Sequence, residues 1–208
     1  MARNIGPQCR QCRAEGQKLF LKGKKCYTAK CIFERRKHAP GQHGRVKRKF
    51  SEYKMQLREK QKLRRIYGVL EKQFRIYFAK ASRQKGITAD NLVAILEKRL
   101  DNVVFKAGLA PSRASARQFV NHGHVKVNGR KVDIPSFQVK PGDIITIKDS
   151  DRSRILAKEN FEYTASREVP DWLSVDRENL KIQVMRDLEK EDLKVPVNVQ
   201  LIVELYSK

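Results

Sequence analysis

Four cysteines, Cys9, Cys12, Cys26 and Cys31, are the residues of this sequence best suited to chemistry, and all fall within its first 31 positions. Two residues separate the first pair, thirteen separate Cys12 from Cys26, and four separate Cys26 from Cys31. Two close pairs joined by a longer loop suit a tetrahedral four-sulfur site, because each pair supplies two corners and the loop returns the chain. Buried thiols in an apolar core are the bland alternative, since cysteine is among the most buried residue types. The surrounding segment is too polar to offer such a core. The expected ligand set is therefore Cys9, Cys12, Cys26 and Cys31 holding Zn2+, with an iron–sulfur cluster as the alternative on the same thiolates. Either would be structural, fixing a polar arm in one shape without hydrophobic packing.

Enzyme signatures are missing. The sequence has neither a phosphate loop nor a Gly-x-Gly-x-x-Gly turn, and no His-x-Glu with Pro-Cys-x-x-Cys. His122 and His124 bracket Gly123 with no acid nearby, as turn or ligand-contact residues would. No stretch reaches the ~20 apolar residues of a membrane-spanning helix. The first thirty residues lack the apolar run of a secretory signal, so a reducing cytosol is the expected setting and a metal is favoured over disulfides.

Charge carries the second signal. The 208 residues hold 46 Lys and Arg against 23 Asp and Glu, a formal net charge of +23. By segment the balance is +13 over residues 1–50, +8 over 51–100, +6 over 101–158 and −4 over 159–208. A merely solvated surface would spread this excess evenly. A graded excess fits a protein whose forward part lies against a polyanion, and nucleic acid is the natural one, because phosphate contacts release condensed counterions. The candidate contacts in the arm are Arg3, Arg10, Lys22, Lys24, Lys25, Arg35, Arg36, Lys37, His43, Arg45, Lys47, Arg48 and Lys49. Arg58 follows in the next helix. With four thiolates available, His38 and His43 are expected to face RNA from the loop around Pro40-Gly41. Further along, Arg113 and Arg117 share a helix face at i and i+4, and Lys126, Arg130 and Lys131 sit on the adjoining hairpin. No acid interrupts Leu109 to Val132.

The elements that must position these residues are legible in part. Residues 1–50 show little hydrophobic periodicity and read as an arm, with an extended basic loop through Pro40-Gly41. Leu63, Ile66, Tyr67, Leu70, Phe74, Tyr77, Phe78 and Ala81 recur at helical steps, interrupted at Gly68 and ended at Gly86. Thr88 is the expected N-cap of a second helix with Leu92, Ile95, Leu96, Leu100, Val103 and Val104 as its stripe, ending at Gly108. A third helix starts at Ser112. The alternation around Val125 and Val127, the Asn128-Gly129 turn and Lys131-Val132 predict a hairpin. Residues 143–148 form another strand, and 181–184 another. The apolar end around Val199–Tyr206 reads as a short helix, with a strand as the alternative. The fold class is α+β: a cysteine-anchored arm over 1–45, a helical domain over 46–97 completed by 162–208, and an inserted module over 98–161.

The run Arg99–Phe105, with Ala107–Ala110, Ser112-Arg113, Ala116–Gln118, His122–Val125 and Val127–Gly129, resembles the RNA-binding module named after bacterial small-subunit ribosomal protein four. Related modules occur in pseudouridine synthases and tyrosyl-tRNA synthetases, so the module alone implies structured RNA. Its flanks are more specific. Gly6-Pro7, Arg35–Lys37, Pro40–Gly44, Ser51–Tyr53, Gln56–Lys62, Tyr67–Val69, Glu71–Arg75, Trp172-Leu173 and Leu201–Ser207 resemble that ribosomal protein family over essentially the whole chain, in a branch that carries four cysteines. The resemblance implies a primary binder of the 5′ domain of small-subunit rRNA that nucleates assembly and influences decoding accuracy. It also implies ribosomal proteins five and three as neighbours, mRNA nearby, and neither a membrane nor a small-molecule substrate. The rivals are an RNA-modifying enzyme, for which no catalytic region remains, and a free RNA-binding regulator.

Overall fold

A computed structural model describes residues 6–46, 49 and 51–207, which divide into two compact units. The first comprises the chain up to Leu92 together with everything from Val195, and the second runs from Val93 to Lys194.

In the first unit the arm is more regular than its polarity suggests. Helix α1 (Gln8–Glu15) ends at Gly16, whose φ of 65° is the left-handed turn that glycine adopts without strain. A 3-10 turn at Gly23–Tyr27 and a short helix α2 (Ile32–Arg35) follow. Helix α3 (Glu52–Ile66) starts at Ser51, whose hydroxyl accepts from the Lys54 N–H at 3.3 Å, and α4 (Glu71–Arg83) follows the turn at Gly68. The apolar stripe of these helices, Leu63, Ile66, Phe74, Tyr77 and Ala81, is buried together with Ile202. Ile202 belongs to the last helix, α9 (Val199–Tyr206), which packs on α3, so the helical reading of that end is the one observed. Asn198 caps α9 with its side chain, and Glu59 of α3 accepts from the Asn198 N–H at 2.9 Å.

Helix α5 (Thr88–Glu97) carries the chain from one unit into the other. The single helix expected from Thr88 to Gly108 is instead broken at Arg99, and α6 spans Leu100–Lys106. The cause is distant in sequence. Val139 N–H donates to Lys98 C=O at 2.9 Å, Leu100 N–H donates to Phe137 C=O at 2.9 Å, and Arg99 bridges Gln138 in antiparallel fashion. Backbone groups claimed by a neighbouring segment cannot also continue the helical ladder.

The second unit then builds α7 (Arg113–Asn121), β1 (Val125–Val127), β2 (Arg130–Lys131), β3 (Ile144–Ile147), α8 (Asp151–Tyr163), β4 (Leu173–Asp176) and β5 (Lys181–Val184). Asn128 and Gly129 both have positive φ, 49° and 79°, the turn that suits a two-residue hairpin. The sheet is antiparallel in the order β2-β1-β3-β5-β4.

This order corrects the expected domain boundaries. Residues 162–194, read as completing the helical domain, join the module instead: β5 pairs with β3, and Trp172, Leu173, Ile182 and Val184 lie in the same core as Val104, Phe119 and Ile145. Without β5, β3 would be left as an unpaired edge beside an apolar face. Only Val195 onward returns to the first unit. Helix α8 was not anticipated either, because its buried side is the sparse stripe Ser153, Ala157 and Phe161.

Candidate nucleic-acid interface and cysteine cluster

Helix α1 places Cys9 and Cys12 one turn apart, the 3-10 turn carries Cys26, and Cys31 precedes α2. Three of the four are buried, Cys9 is half-buried, and all line one small pocket with Lys18, Leu21, Lys22 and Phe33. Burial pushes the Cys12 thiol up; a backbone hydrogen bond from Leu19 opposes this, and the other three cysteines add to it. Cys26 is also raised by burial, against a 3.3 Å hydrogen bond from the Lys22 N–H to its sulfur. The folded arm therefore gathers the four sulfurs predicted from their spacing. Among the described residues, however, no group of three or more His, Cys, Asp or Glu side chains is arranged to hold a metal ion. His38 does not line the cysteine pocket.

A groove in the first unit is lined by Arg13, Lys37, His38, Arg45, Arg58 and Lys62 together with Glu15 and Glu59. Arg13 pins the basic loop, donating through Nε to His38 C=O at 2.9 Å and through Nη2 to Ala39 C=O at 3.2 Å. Partial burial and the cations Arg13, Arg45 and Arg36 lower the pKa of His38.

Of the sequence candidates in the arm, Arg10, Lys22, Lys24, Lys25, Arg35, Arg36, Lys37, His43, Arg45 and Lys49 are exposed. Arg3, Lys47 and Arg48 lie outside the described residues. Arg58 has an internal role: it pairs with Glu15 at 3.1 Å and donates to Ala14 C=O, while Arg65 holds the same carboxylate.

In the second unit the two helix-face arginines are built into the fold. Asp101, nearly fully buried, accepts a two-pronged contact from Arg99 at 3.0 and 2.6 Å, and Arg117 approaches the same carboxylate at 3.5 Å. Arg113 donates to the Asn102 side-chain oxygen at 2.8 Å, and Asn102 in turn donates to Glu97 Oε2 at 2.7 Å. The Phe105 ring has the guanidinium of Arg113 4.5 Å from its centre and that of Arg167 at 4.3 Å. Arg167 also donates to Phe105 C=O at 2.8 Å and Ala110 C=O at 3.1 Å.

The hairpin is more open. Arg130 and Lys131 are exposed and Lys126 half-buried, with only long contacts of 3.9 Å from Lys126 to Asp149 and from Lys131 to Asp133. Such exposed pairs contribute little, so they do not commit these cations within the fold. Beside them, His124 stacks on Phe119 at 4.9 Å and shares a 2.8 Å hydrogen bond with Ser153; burial, then His122 and Lys148, lower its pKa. The sequence reading missed the exposed Arg152, Arg154 and Lys158, because it missed α8 itself. Ser150, whose hydroxyl accepts from Ser153 N–H at 3.4 Å, and Asp151 in the first turn are local signals for that helix.

An exposed cationic arm, joined to a small α+β module that presents lysine and arginine on a β-ribbon beside a helix, is the build of a protein that binds structured RNA. Comparison with known proteins makes the assignment specific. Residues 3–97 match the family model described as "Ribosomal protein S4/S9 N-terminal domain", and residues 98–145 match "S4 domain". Proteins named "Small ribosomal subunit protein uS4" are similar along their full length. The one from Thermoanaerobacter sp. (strain X514) is 57% identical over 208 residues, that of Natranaerobius thermophilus 56% over 209, and that of Desulfotalea psychrophila 53% over 209, with all of both chains covered in each case. The chain belongs to the ribosomal protein S4 family.

Proposed function

We propose that the protein is a structural component of the small ribosomal subunit, held there by small-subunit rRNA and working in the cytoplasm as part of the ribosome. Full-length similarity to proteins named as that subunit's uS4 carries this reading, and the exposed cations of the arm and hairpin supply its physical basis. Binding rests on phosphate neutralisation by the exposed cations of the arm and hairpin, while Arg113 and Arg117 are tied to α6 within the fold.

Further points rest on the family resemblance alone: attachment to the rRNA 5′ domain, nucleation of assembly, ribosomal proteins five and three and mRNA as neighbours, and an effect on decoding accuracy. The test is gradient fractionation of cell extract, where the protein should comigrate with small subunits in equal amount. Running free at the top of the gradient would favour the alternative of a separate RNA-binding regulator and overturn the proposal. With purified protein and a 5′-domain transcript, replacing both Arg130 and Lys131 by Ala should reduce the salt slope of binding by about 2.

The four cysteines are proposed to bind Zn2+, with an iron–sulfur cluster as the alternative. Support comes from four thiols lining one pocket, three of them buried in an otherwise polar arm. Ligation would deprotonate the sulfurs and draw them together. Elemental analysis of the full-length protein should find one zinc per chain, whereas visible absorption with iron would identify the cluster. Metal-free protein whose arm resists protease as well as metal-supplemented protein does would overturn the site.

A further inference from the structure

We propose that Phe20 and Tyr27 form a stacking platform for an unpaired base, an inference that rests on the RNA-binding reading above. The two rings pack against each other on the arm, with centres 5.1 Å apart and planes tilted by 31°, and remain 41% and 59% exposed. Lys18 sets its ammonium 5.4 Å from the Phe20 ring centre while pairing with Glu34 at 2.5 Å.

Folding alone does not account for this arrangement. Leu19 is buried and Leu21 lines the cysteine pocket, yet the larger Phe20 between them is turned outward. Its φ of 53° is a left-handed conformation disfavoured for every residue with a Cβ and most easily adopted by Gly and Asn. One residue therefore breaks two local preferences, by exposing an aromatic ring and by straining the backbone to do so. Such residues are found where an external ligand uses them.

The surroundings identify the ligand. No acid occurs from Gly16 to Phe33, and beyond Lys18, which Glu34 takes, Lys22, Lys24, Lys25 and Lys30 all fall in that span. An RNA strand satisfies both features, with its phosphates among the lysines and a splayed-out base on the rings, since stacking on aromatic side chains is the common way to hold unpaired bases. The arm thus reads a single-stranded position of the RNA by stacking and does more than neutralise its charge.

Full-length protein binding to a small-subunit rRNA 5′-domain transcript across a salt series tests the proposal, with Phe20→Asn and Tyr27→Ala as variants. Each should bind about ten-fold more weakly, with the salt slope unchanged, because no cation is lost. Phe20→Asn should also melt at the same or a higher temperature, since Asn tolerates the backbone at that position. Lys25→Ala, by contrast, should lower the slope by about 1. Parent-like binding by both aromatic variants, with the parent binding the transcript well, overturns the platform alone. Loss of affinity in step with loss of melting temperature overturns it in favour of a structural role. Unchanged RNA binding combined with failure to enter small subunits would point to a protein neighbour instead and would likewise overturn it. A parent protein that ignores the transcript overturns both the platform and the RNA-binding reading.

Discussion

Asp101 accepts from Arg99 and Arg117 inside the second unit, and the acid-free run from Leu109 to Val132 gives no hint of it. A local charge count sees only neighbours in sequence, and the partners of the α7 arginines, Asp101 for Arg117 and Asn102 for Arg113, come from α6. Spacing located the Arg113–Arg117 face correctly but could not say that the fold had already claimed those side chains. The cysteines show a different limit: all four line one pocket, but spacing cannot say whether their side chains are arranged to hold a metal, and among the described residues they are not.

Two predictions belong to single residues. Asp101→Asn leaves Arg99 buried without its carboxylate, and should cost about 3–5 kcal/mol in denaturant unfolding. Pairing it with Arg99→Met should recover much of that loss. In the first unit, Glu71 accepts from Lys60 at 2.8 Å, Arg64 at 2.7 Å, Arg75 at 3.2 Å and the Tyr206 hydroxyl at 3.3 Å. Burial opposes its ionisation, but these cations outweigh burial and hold its pKa to about 2, against an ordinary 4.5, while Tyr206 is raised to about 12 by burial and Glu71. A depressed carboxylate stabilises the fold above its unfolded pKa and loses that contribution as pH falls through the folded value. Stability from Glu71 is thus complete at neutral pH, declines below about 4.5 and is gone below about 2. Acid titration of Glu71→Gln should show this limb flattened and stability at neutral pH reduced.

At the scale of elements, helices with a full apolar stripe and the Asn128-Gly129 hairpin were legible, because their determinants are local. The break at Arg99 and the helix α8 were not. The first is imposed by the 135–139 segment forty residues away, and the second buries too few apolar residues to show a period. The join between α6 and α8 is equally non-local. Gly108, at φ 90°, accepts through its C=O from the Thr164 hydroxyl at 2.6 Å, and a Cβ on it would stand 2.8 Å from that same oxygen. Gly108→Ala should therefore destabilise the second unit by more than about 2 kcal/mol, as strain at φ > 0 adds to a lost buried hydrogen bond. A second unit that melts unchanged in calorimetry would mean that Thr164 can move aside at no cost.

For the molecule as a whole, the charge gradient was informative about the ligand and silent about the domain boundary. The acidic stretch that begins near residue 159 spans two destinations, since residues up to Lys194 build the β-sheet unit and only the last fourteen return to the helices. Deleting 195–208 removes Ile202 from the core and Tyr206 from its stack on Phe78 at 4.4 Å. The truncated protein should keep a cooperative transition for 93–194 while α3 and α4 become readily cut by protease. A single unchanged transition, with those helices still protected, would show that the first unit stands without α9.

That discontinuity also dictates a sequence of events at birth. Helix α3 emerges from the ribosome early, but the helix that covers it is synthesised only after the entire second unit. Leu63 and its neighbours must wait uncovered throughout that interval, so nascent chains stalled before residue 195 should attract chaperones that recognise apolar surface, and completed chains should not.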